Sequence, residues 1–464
     1  MQFLPSIADK SFPAGRIFAV RALAAATLTG ALLAAPASAQ APSAPGQMTP
    51  TTSAAPAPPV PAPAPAAPSA PAPGPAGEPA PAPQAQAKPK PKPKPKPAIR
   101  EWALSDDPTP SFQPETFYAT VAASERYAAI ADMGGWPTVP GNVGPGSPGK
   151  TIAVLRKRLA IEGDLPEANA AGEARGEAWD ETLAAAVRRF QGRHGLRKSG
   201  VVSGSTLRAM NVPARVRFKQ LASSAQRLAG NTFGFGDRYV VVNIPSAAVE
   251  AIENGRVVKR YVAVVGDVDH RSPEVESKIS AVNVNPTWTA PTSIIKNEII
   301  PKMRRDPGYL SRARIRILDG RGNEVHPGSI DWNSERAVNY TLRQDSGAHN
   351  SLGALRIQMP NKHAVYMHDT PSKGYFGRDY RFLSHGCVRV QGVADLAAWL
   401  LGPQWDGKAV LQQVAKGERQ DLKLSQSVPV IWVYMTGWAS ADGAVHFADD
   451  VYQVDTIGLQ ASAN

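Results

Sequence analysis

The one cysteine of the sequence, Cys387, lies in the polar segment 384–389 (SHGCVR), and His368 precedes it by 19 residues (387 − 368). A thiol attacks as the thiolate, and a nearby imidazole can accept its proton. The backbone N–H groups around Gly386 and Cys387 can bind the oxyanion that forms at an attacked carbonyl. His385 cannot easily share the role of base, because alternate side chains of an extended segment point to opposite faces. It is expected instead to orient the loop or to polarise that carbonyl. These residues predict acyl transfer with Cys387 as nucleophile and His368 as base.

Two other interpretations of the same residues are open. The cysteine could be a buried structural thiol beside two unrelated histidines, but its neighbours are small and polar rather than apolar. His368, His385 and Cys387 could also bind zinc, although no fourth protein ligand is evident. The thiol mechanism is preferred, so no metal and no cofactor is predicted. A thiol activated by a base should react with iodoacetamide below the reference pKa of about 8.5.

A phosphate-loop pattern also occurs, at residues 144–151 (GPGSPGKT). Such a loop needs a buried strand directly before it, so that backbone N–H groups can surround the phosphates. The preceding residues 135–143 (GWPTVPGNV) contain two prolines and cannot form a central strand. Nucleotide binding is therefore not predicted, and the segment is expected to be a loop before a helix.

The N-terminal 39 residues have the features of an export signal. Basic residues are followed by an apolar run at 22–35 and by small residues at 37–39. The run is shorter than the roughly 20 residues that span a bilayer. Residues 1–39 are therefore predicted to be a cleaved signal peptide, with an uncut membrane anchor as the alternative. The predicted location is the periplasm, in association with the cell wall.

Residues 40–99 contain about half of the 44 prolines of the chain and end in a KPKPKPKPKP run. This composition cannot build a core and predicts a disordered, partly extended spacer that carries positive charge. The net charge of the whole chain is +12. Because no dense basic cluster alternates with aromatic residues, nucleic acid is not predicted as a partner, whereas an anionic polymer of the envelope is.

The foldable part begins near residue 100. Residues 100–148 are predicted to be a partly helical scaffold, 149–213 a helical module with caps at Thr151 and Asp180, and 214–236 a connecting helix. Residues 237–455 are predicted to be mainly β, with an Asn254–Gly255 hairpin turn and an insertion at about 293–350. The predicted strands are 239–244, 257–265, 279–284, 355–359, 364–367, 428–434 and 444–447.

Several motifs together resemble the L,D-transpeptidases (YkuD domain), in their large YcbB-like branch with an insertion that caps the active site. The motifs are 282–288 (VNVNPTW), 330–332 (IDW), 343–353 (RQDSGAHNSLG), 366–371 (YMHDTP) and 382–387 (FLSHGC). Residues 186–196 (AVRRFQGRHGL) are similar to small peptidoglycan-binding domains. The resemblance implies a multidomain α+β protein with a helical wall-binding module and a mainly β, sandwich-like catalytic domain.

The resemblance also implies a mechanism and a set of site residues. Cys387 would attack the carbonyl after the third residue of a tetrapeptide stem, release the terminal D-alanine and form a thioester. An amine of a second stem would then give a 3→3 cross-link. His368 would be base and later acid, oriented by the carbonyl of Asp369. The cleft would be lined by Tyr366, Asn350, Ser384, Arg389 and Trp288.

The sequence leaves the acyl acceptor open. A second stem gives cross-linking, water gives carboxypeptidase activity, and a lysine of an envelope protein gives anchoring. A protein that only binds the wall, through the helical module and the spacer, is a further alternative. The segment 198–204 (KSGVVSG) departs from the pattern of similar wall-binding modules, so a scaffolding role of this module is open as well. Peptidoglycan stem peptides and glycan are the predicted partners, and the oligomeric state is not predicted.

Overall fold

Residues 100–166 and 176–456 are described by the computed structural model of the chain. The signal peptide predicted at 1–39 and the spacer predicted at 40–99 lie outside the described residues. Within the described ranges, no helix combines the length and the apolar character needed to cross a bilayer.

Helices dominate the described residues before 237. They are α1 (Thr116–Asp132), α2 (Gly149–Glu162), α3 (Glu181–Arg193), α4 (Gly204–Met210) and α5 (Ala214–Leu228). The predicted cap of α3 is confirmed, because a side-chain oxygen of Asp180 accepts a hydrogen bond from the backbone N–H of Leu183 at 2.8 Å. The predicted cap at Thr151 is wrong. The helix begins two residues earlier, directly after Pro148, whose restricted φ suits the residue before a helix.

The apolar faces predicted for α2 and α3 meet in one core. Its members include Ile152, Leu155, Leu159, Leu183, Val187 and Phe190. The residues before the phosphate-loop pattern form one isolated β-bridge, Val143 to Val202, instead of a strand. The segment is therefore a loop that leads into α2, as its prolines predict.

Strands dominate the remainder of the described chain. In chain order they are β1 (Arg238–Asn243), β2 (Ala248–Glu253), β3 (Arg256–Gly266), β4 (Val275–Val284), β5 (Trp288–Thr289), β6 (Ile315–Leu318), β7 (Glu324–Val325), β8 (Thr341–Gln344), β9 (Leu355–Gln358), β10 (Met367–His368), β11 (Phe382–Ser384), β12 (Val388–Val390), β13 (Gln420–Val433), β14 (Gly437–Ala439) and β15 (Val445–Phe447). One sheet has the order β11-β3-β12-β10-β9-β4-β13-β1-β2, and β2 also pairs with β3. The sheet thus closes on itself around one apolar core, which confirms a mainly β domain.

Two sequence predictions about this sheet have different outcomes. Asn254 and Gly255 both have positive φ, 52° and 72°, which is the geometry of the predicted hairpin turn. The strand predicted at 364–367 is wrong over most of its length, since β10 begins only at Met367. The side chain of Asn361 bonds the backbone of His363 and Val365 and bends the chain at this point.

The insertion forms a lobe with its own sheet, in the order β5-β8-β6-β7. Its helical part runs through α6 (Thr292–Ile294), a π-helix (Ile295–Ile299), α7 (Ile300–Arg305) and α8 (Tyr309–Arg312). The lobe has an apolar core of its own that includes Ile299, Ile317 and Leu342. The sequence predicted helices and irregular structure here but not the sheet, because its strands are only two to four residues long.

Two helices follow the candidate site, α9 (Val393–Leu401) and α10 (Gly407–Ala415). The first confirms the helix predicted at 395–401. Leu396, Ala397 and Leu400 of α9 are buried in the core of the large sheet. This packing fixes the chain directly after β12, which carries the segment of Cys387.

Candidate active site

The short strand β10 lies between β9 and β12, and its register determines which side chains share a face. Met367 is opposite Val388 and His368 is opposite Arg389 on the parallel strand β12. The backbone N–H of Val388 donates to the carbonyl of Tyr366 at 3.0 Å. Because successive side chains alternate between faces, Tyr366, His368, Cys387 and Arg389 project from the same face of the sheet. The register thus brings four of the sequence-predicted residues together.

Cys387 is partly buried and has Tyr366 as its hydrogen-bond neighbour. Burial raises the pKa of the Cys387 thiol to about 11. Hydrogen bonds from the backbone and side chain of Tyr366 act in the opposite direction, as do the positive charges of Arg389 and Arg356. The surroundings of Cys387 therefore favour the neutral thiol.

His368 is 5% exposed, and its Nδ1 has no hydrogen bond of good geometry among the described residues. Burial, followed by the charge of Arg389, lowers the pKa of the imidazole to about 4. Backbone groups of Asp369 and Leu352 have the opposite effect and act to raise the pKa of the imidazole. The tyrosine ring of Tyr366 stands edge-on to the imidazole, with 5.7 Å between the centroids.

These shifts change one expectation from the sequence. A thiolate beside an imidazolium needs a low thiol pKa and a high imidazole pKa, whereas both groups are shifted the other way. At neutral pH the resting pair is therefore a thiol and a neutral imidazole. A neutral imidazole remains able to accept a proton at the moment of attack.

The loop before Cys387 is held by two serine hydroxyls. Ser384 donates to the carbonyl of Cys387 at 2.5 Å, and Ser272 donates to the carbonyl of Gly386 at 2.8 Å. Gly386 has a φ of +100°, a conformation that residues with a side chain rarely adopt. The backbone N–H groups of Gly386 and Cys387 have no partner among the described residues. The loop thus presents two free donors beside the thiol.

Three predicted site residues, two from the cleft and Asp369, lie in supporting positions. Ser384 is 1% exposed and Asn350 is fully buried, where its Nδ2 donates to the carbonyls of Pro286 and Asp345. The carboxylate of Asp369 accepts a hydrogen bond from the backbone N–H of Ala354 at 3.1 Å and pairs with Lys373. These side chains fix the loops around the site and have little free surface. Asn350 joins the lobe to the sheet.

Two predicted residues link the lobe to the site. Trp288, at the edge of the lobe, interacts with the Tyr366 hydroxyl and acts to lower its pKa, against the larger raising effect of burial. Nε2 of His385 lies 2.8 Å from a carboxylate oxygen of Glu298 in the π-helix. The contact is an ion pair when His385 is protonated. The His385 ring also contacts the ring of His270, with 4.6 Å between centroids.

Sequence reasoning missed Glu298 and Arg356. Glu298 lies in an insertion whose path could not be predicted, and only the structure reveals that it meets His385. Arg356 stacks over the Tyr366 ring at 5.2 Å and bonds Asn283 and Gln358. The alternation of β9 could have indicated which face Arg356 occupies. Within residues 100–166 and 176–456 no three or more His, Cys, Asp or Glu side chains cluster in a way that could hold a metal ion.

Two regions of the chain match models of known protein families. Residues 237–422 match the profile of the "L,D-transpeptidase catalytic domain" (YkuD), and residues 148–210 match a "Putative peptidoglycan binding domain". Residues 237–422 are therefore similar to a YkuD-type L,D-transpeptidase domain, and residues 148–210 before them to a peptidoglycan-binding domain, as the sequence motifs predict.

A curated relative is a "Putative L,D-transpeptidase" of Haemophilus influenzae. It is 36% identical over 239 residues, which cover 51% of this chain and 48% of the relative. The chain thus spans about half the length of the curated relative it matches.

Similar solved structures include L,D-transpeptidases of Xylanimonas cellulosilytica and Stackebrandtia nassauensis. The first is 16% identical, with a TM-score of 0.21 and coverage of 64% of this chain and 99% of the other. The second is 13% identical, with a TM-score of 0.24 and coverage of 64% and 96%.

Proposed function

We propose that this protein forms 3→3 peptidoglycan cross-links through a thioester on Cys387. The observation that carries the proposal is the common face of Cys387 and His368 beside two free backbone N–H donors, inside the YkuD-type domain. Nucleophile, base and oxyanion donors are the three parts that acyl transfer requires.

In the first half-reaction, Sγ of Cys387 attacks the carbonyl that follows the third residue of a tetrapeptide stem. His368 accepts the thiol proton as the sulfur–carbon bond forms, so no resting thiolate is needed. The N–H groups of Gly386 and Cys387 bind the oxyanion. His368 then returns the proton to the leaving amine, the carbon–nitrogen bond breaks, and D-alanine departs.

In the second half-reaction, the side-chain amine of another stem attacks the thioester. His368 takes the amine proton, the new amide bond forms, and the sulfur–carbon bond breaks. His368 then returns the proton to the sulfur, which regenerates the thiol of Cys387 and the neutral imidazole. The charges of Arg389 and Arg356 and the hydroxyl of Tyr366 favour the departing thiolate, because each lowers the thiol pKa. Water or an envelope-protein lysine in place of the second stem would give hydrolysis or anchoring.

The periplasm is the proposed location, because peptidoglycan stems are the proposed substrates and residues 1–39 have export features. The peptidoglycan-binding domain is proposed to hold the enzyme on this polymer.

Incubation with tetrapeptide-stem muropeptides, read by mass spectrometry, tests the proposal. A dimer that has lost one alanine and is absent with Cys387→Ala is the expected product. Formation of tripeptide without any dimer would show that water, and not a second stem, is the acyl acceptor. Absence of any product with the wild-type protein would contradict the enzymatic function. A covalent adduct on an added envelope protein would assign anchoring instead.

A further inference from the structure

The loop between β3 and β4, residues 267–274, supports the segment that leads to the nucleophile. The backbone N–H of Asp267 donates to the carbonyl of Ser384 at 2.9 Å. Further along the same loop, the hydroxyl of Ser272 donates to the carbonyl of Gly386 at 2.8 Å. The loop thus holds the chain at both ends of the turn that precedes the nucleophile.

Ser272 uses its hydroxyl both as an acceptor and as a donor. The residue is buried, with 4% of its surface exposed. Its Oγ accepts a hydrogen bond from the backbone N–H of Gly266 at 2.9 Å. Because an N–H group can only donate, the single proton of the hydroxyl is directed to the carbonyl of Gly386. The chemistry of the two partners therefore fixes the direction of both hydrogen bonds.

Tyr452, from the segment after β15, holds Ser272 in this position. Its hydroxyl accepts from the backbone N–H of Ser272 at 3.1 Å and donates to the carbonyl of Gly266 at 2.7 Å. Its ring stacks on the ring of Tyr434, with 5.1 Å between the centroids. A side chain at Gly266 would collide with the backbone of His270, so glycine allows the loop to fold back this closely. The hydroxyl of Ser272 is thus fixed from two sides.

Fixing the carbonyl of Gly386 also fixes the N–H of Cys387, because both groups belong to one peptide unit. Such a unit is planar and, before a residue other than proline, almost always trans, so that its C=O and N–H point in opposite directions. The C=O points to Ser272, and the N–H of Cys387 therefore points away from the β3–β4 loop, where it has no partner among the described residues. Because Gly386 has no side chain to restrict rotation, this peptide unit would turn easily without the hydrogen bond.

We propose that Ser272 is a positioning residue of the oxyanion site, whose hydroxyl keeps the N–H of Cys387 directed at the oxygen of the attacked carbonyl. The inference rests on the proposed acyl transfer to Cys387. An oxyanion donor stabilises the transition state most when it is in place before the negative charge develops. Without the hydroxyl the peptide unit can turn away, while the sulfur of Cys387 and the imidazole of His368 remain available. Ser272 acts through this peptide unit and not by contact with the substrate.

Two reactions of the same thiol separate this role from a general role in folding. Acylation by p-nitrophenyl acetate passes through a tetrahedral oxyanion, whereas alkylation by iodoacetamide is a displacement at a saturated carbon and forms none. Both are measured on the purified full chain, the first by release of nitrophenolate and the second by intact mass. Cys387→Ala gives the background rate of each reaction.

The ester contains no stem peptide, so its reaction does not depend on recognition of the donor, and a tetrapeptide donor is measured in parallel. Wild-type protein that reacts with the ester but not with the tetrapeptide would contradict the proposed function and not this inference. Wild-type rates equal to those of Cys387→Ala with both donors would overturn the two together.

Ser272→Ala should lower the acylation rate about 10- to 100-fold and leave the alkylation rate unchanged. The loss is expected to be smaller than the roughly 10²- to 10³-fold effect of removing a whole oxyanion donor. Ser272→Thr retains the hydroxyl and should restore most of the acylation rate. Ser277→Ala is the matched control, because this serine of β4 also donates to a backbone carbonyl, that of Pro360 at 2.6 Å. It should change neither rate.

Tyr452→Phe provides a second variant where Ser272→Ala fails to fold. It retains the ring that stacks on Tyr434 and removes the hydroxyl that holds Ser272. Acylation should slow by a smaller factor than in Ser272→Ala, again with unchanged alkylation. Unchanged acylation in the variant that folds would overturn the proposal. Equal slowing of acylation and alkylation, or no recovery with Ser272→Thr, would also overturn it, because either would show a structural role alone.

Discussion

The carboxylate of Glu298 in the lobe lies 2.8 Å from Nε2 of His385, two residues before Cys387. This ion pair joins the capping insertion directly to the nucleophile loop. It raises the pKa of His385 and lowers the pKa of Glu298 to about 2. Lys302 also faces Glu298, and Asp267 and Arg389 also face His385. Contact of the lobe with the loop is therefore sensitive to pH.

The sign of this dependence follows from the two shifts. The stabilisation due to His385 is complete below its ordinary pKa of 6.5 and disappears as the pH rises through the raised value. That due to Glu298 is complete above 4.5 and disappears as the pH falls toward 2. Glu298→Gln should lower the His385 pKa in an NMR titration. Glu335→Gln, in the same lobe but paired with Lys296, should not change it.

Replacement of His368 tests its role as the proton carrier. His368→Gln should reduce kcat by a factor of about 10² to 10⁴, the usual contribution of a positioned acid–base group. His363→Gln is the matched control, because His363 is exposed in the same segment. Steady-state kinetics with a tetrapeptide donor measure both. Equal activity of the two variants would contradict the assignment.

Removal of the Arg389 charge should move two pKa values in the same direction. The charge lowers the pKa of the Cys387 thiol and also that of His368. Arg389→Gln should thus shift the pH profile of iodoacetamide alkylation upward and raise the His368 pKa seen by NMR. Arg256→Gln, an exposed residue of β3, is the control. A wild-type alkylation profile with its midpoint well below pH 8.5 would contradict the neutral resting thiol.

The separate core of the lobe predicts local instability on truncation. Leu342 is fully buried there, so Leu342→Ala should cost about 2–5 kcal/mol. Hydrogen exchange of lobe amides should accelerate more than that of the large sheet. Leu411→Ala, at a residue that is 53% exposed, should have little effect. Equal acceleration in both regions would mean that lobe and sheet unfold as one unit.

Local patterns predicted much of this fold. The periodic faces of α2 and α3, the Asp180 cap and the Asn254–Gly255 turn depend on neighbouring residues, and all appear in the structure. The lobe sheet, the pairing of β1 with β13 and the pairing of β3 with β12 depend on distant or very short segments. Periodicity contains no information about such pairing.

In the candidate active site too, local features could be predicted from the sequence and long-range contacts could not. The sequence indicated the motif around Cys387 and predicted the position of His368 at the end of a strand. The reversed pKa shifts were not, because they follow from burial and from Arg389, which only the folded packing reveals. The contact between Glu298 and His385 spans 87 residues (385 − 298) and has no local signal.

Formation of a thioester between Cys387 and a stem peptide is the step on which the proposed reaction depends. Intact-protein mass spectrometry after rapid quenching, with a tetrapeptide donor and no amine acceptor, tests it most directly. We expect a mass increase equal to the donor minus one alanine, located on the peptide that contains Cys387 and absent with Cys387→Ala. An adduct elsewhere on the chain, or product formation by Cys387→Ala, would contradict it.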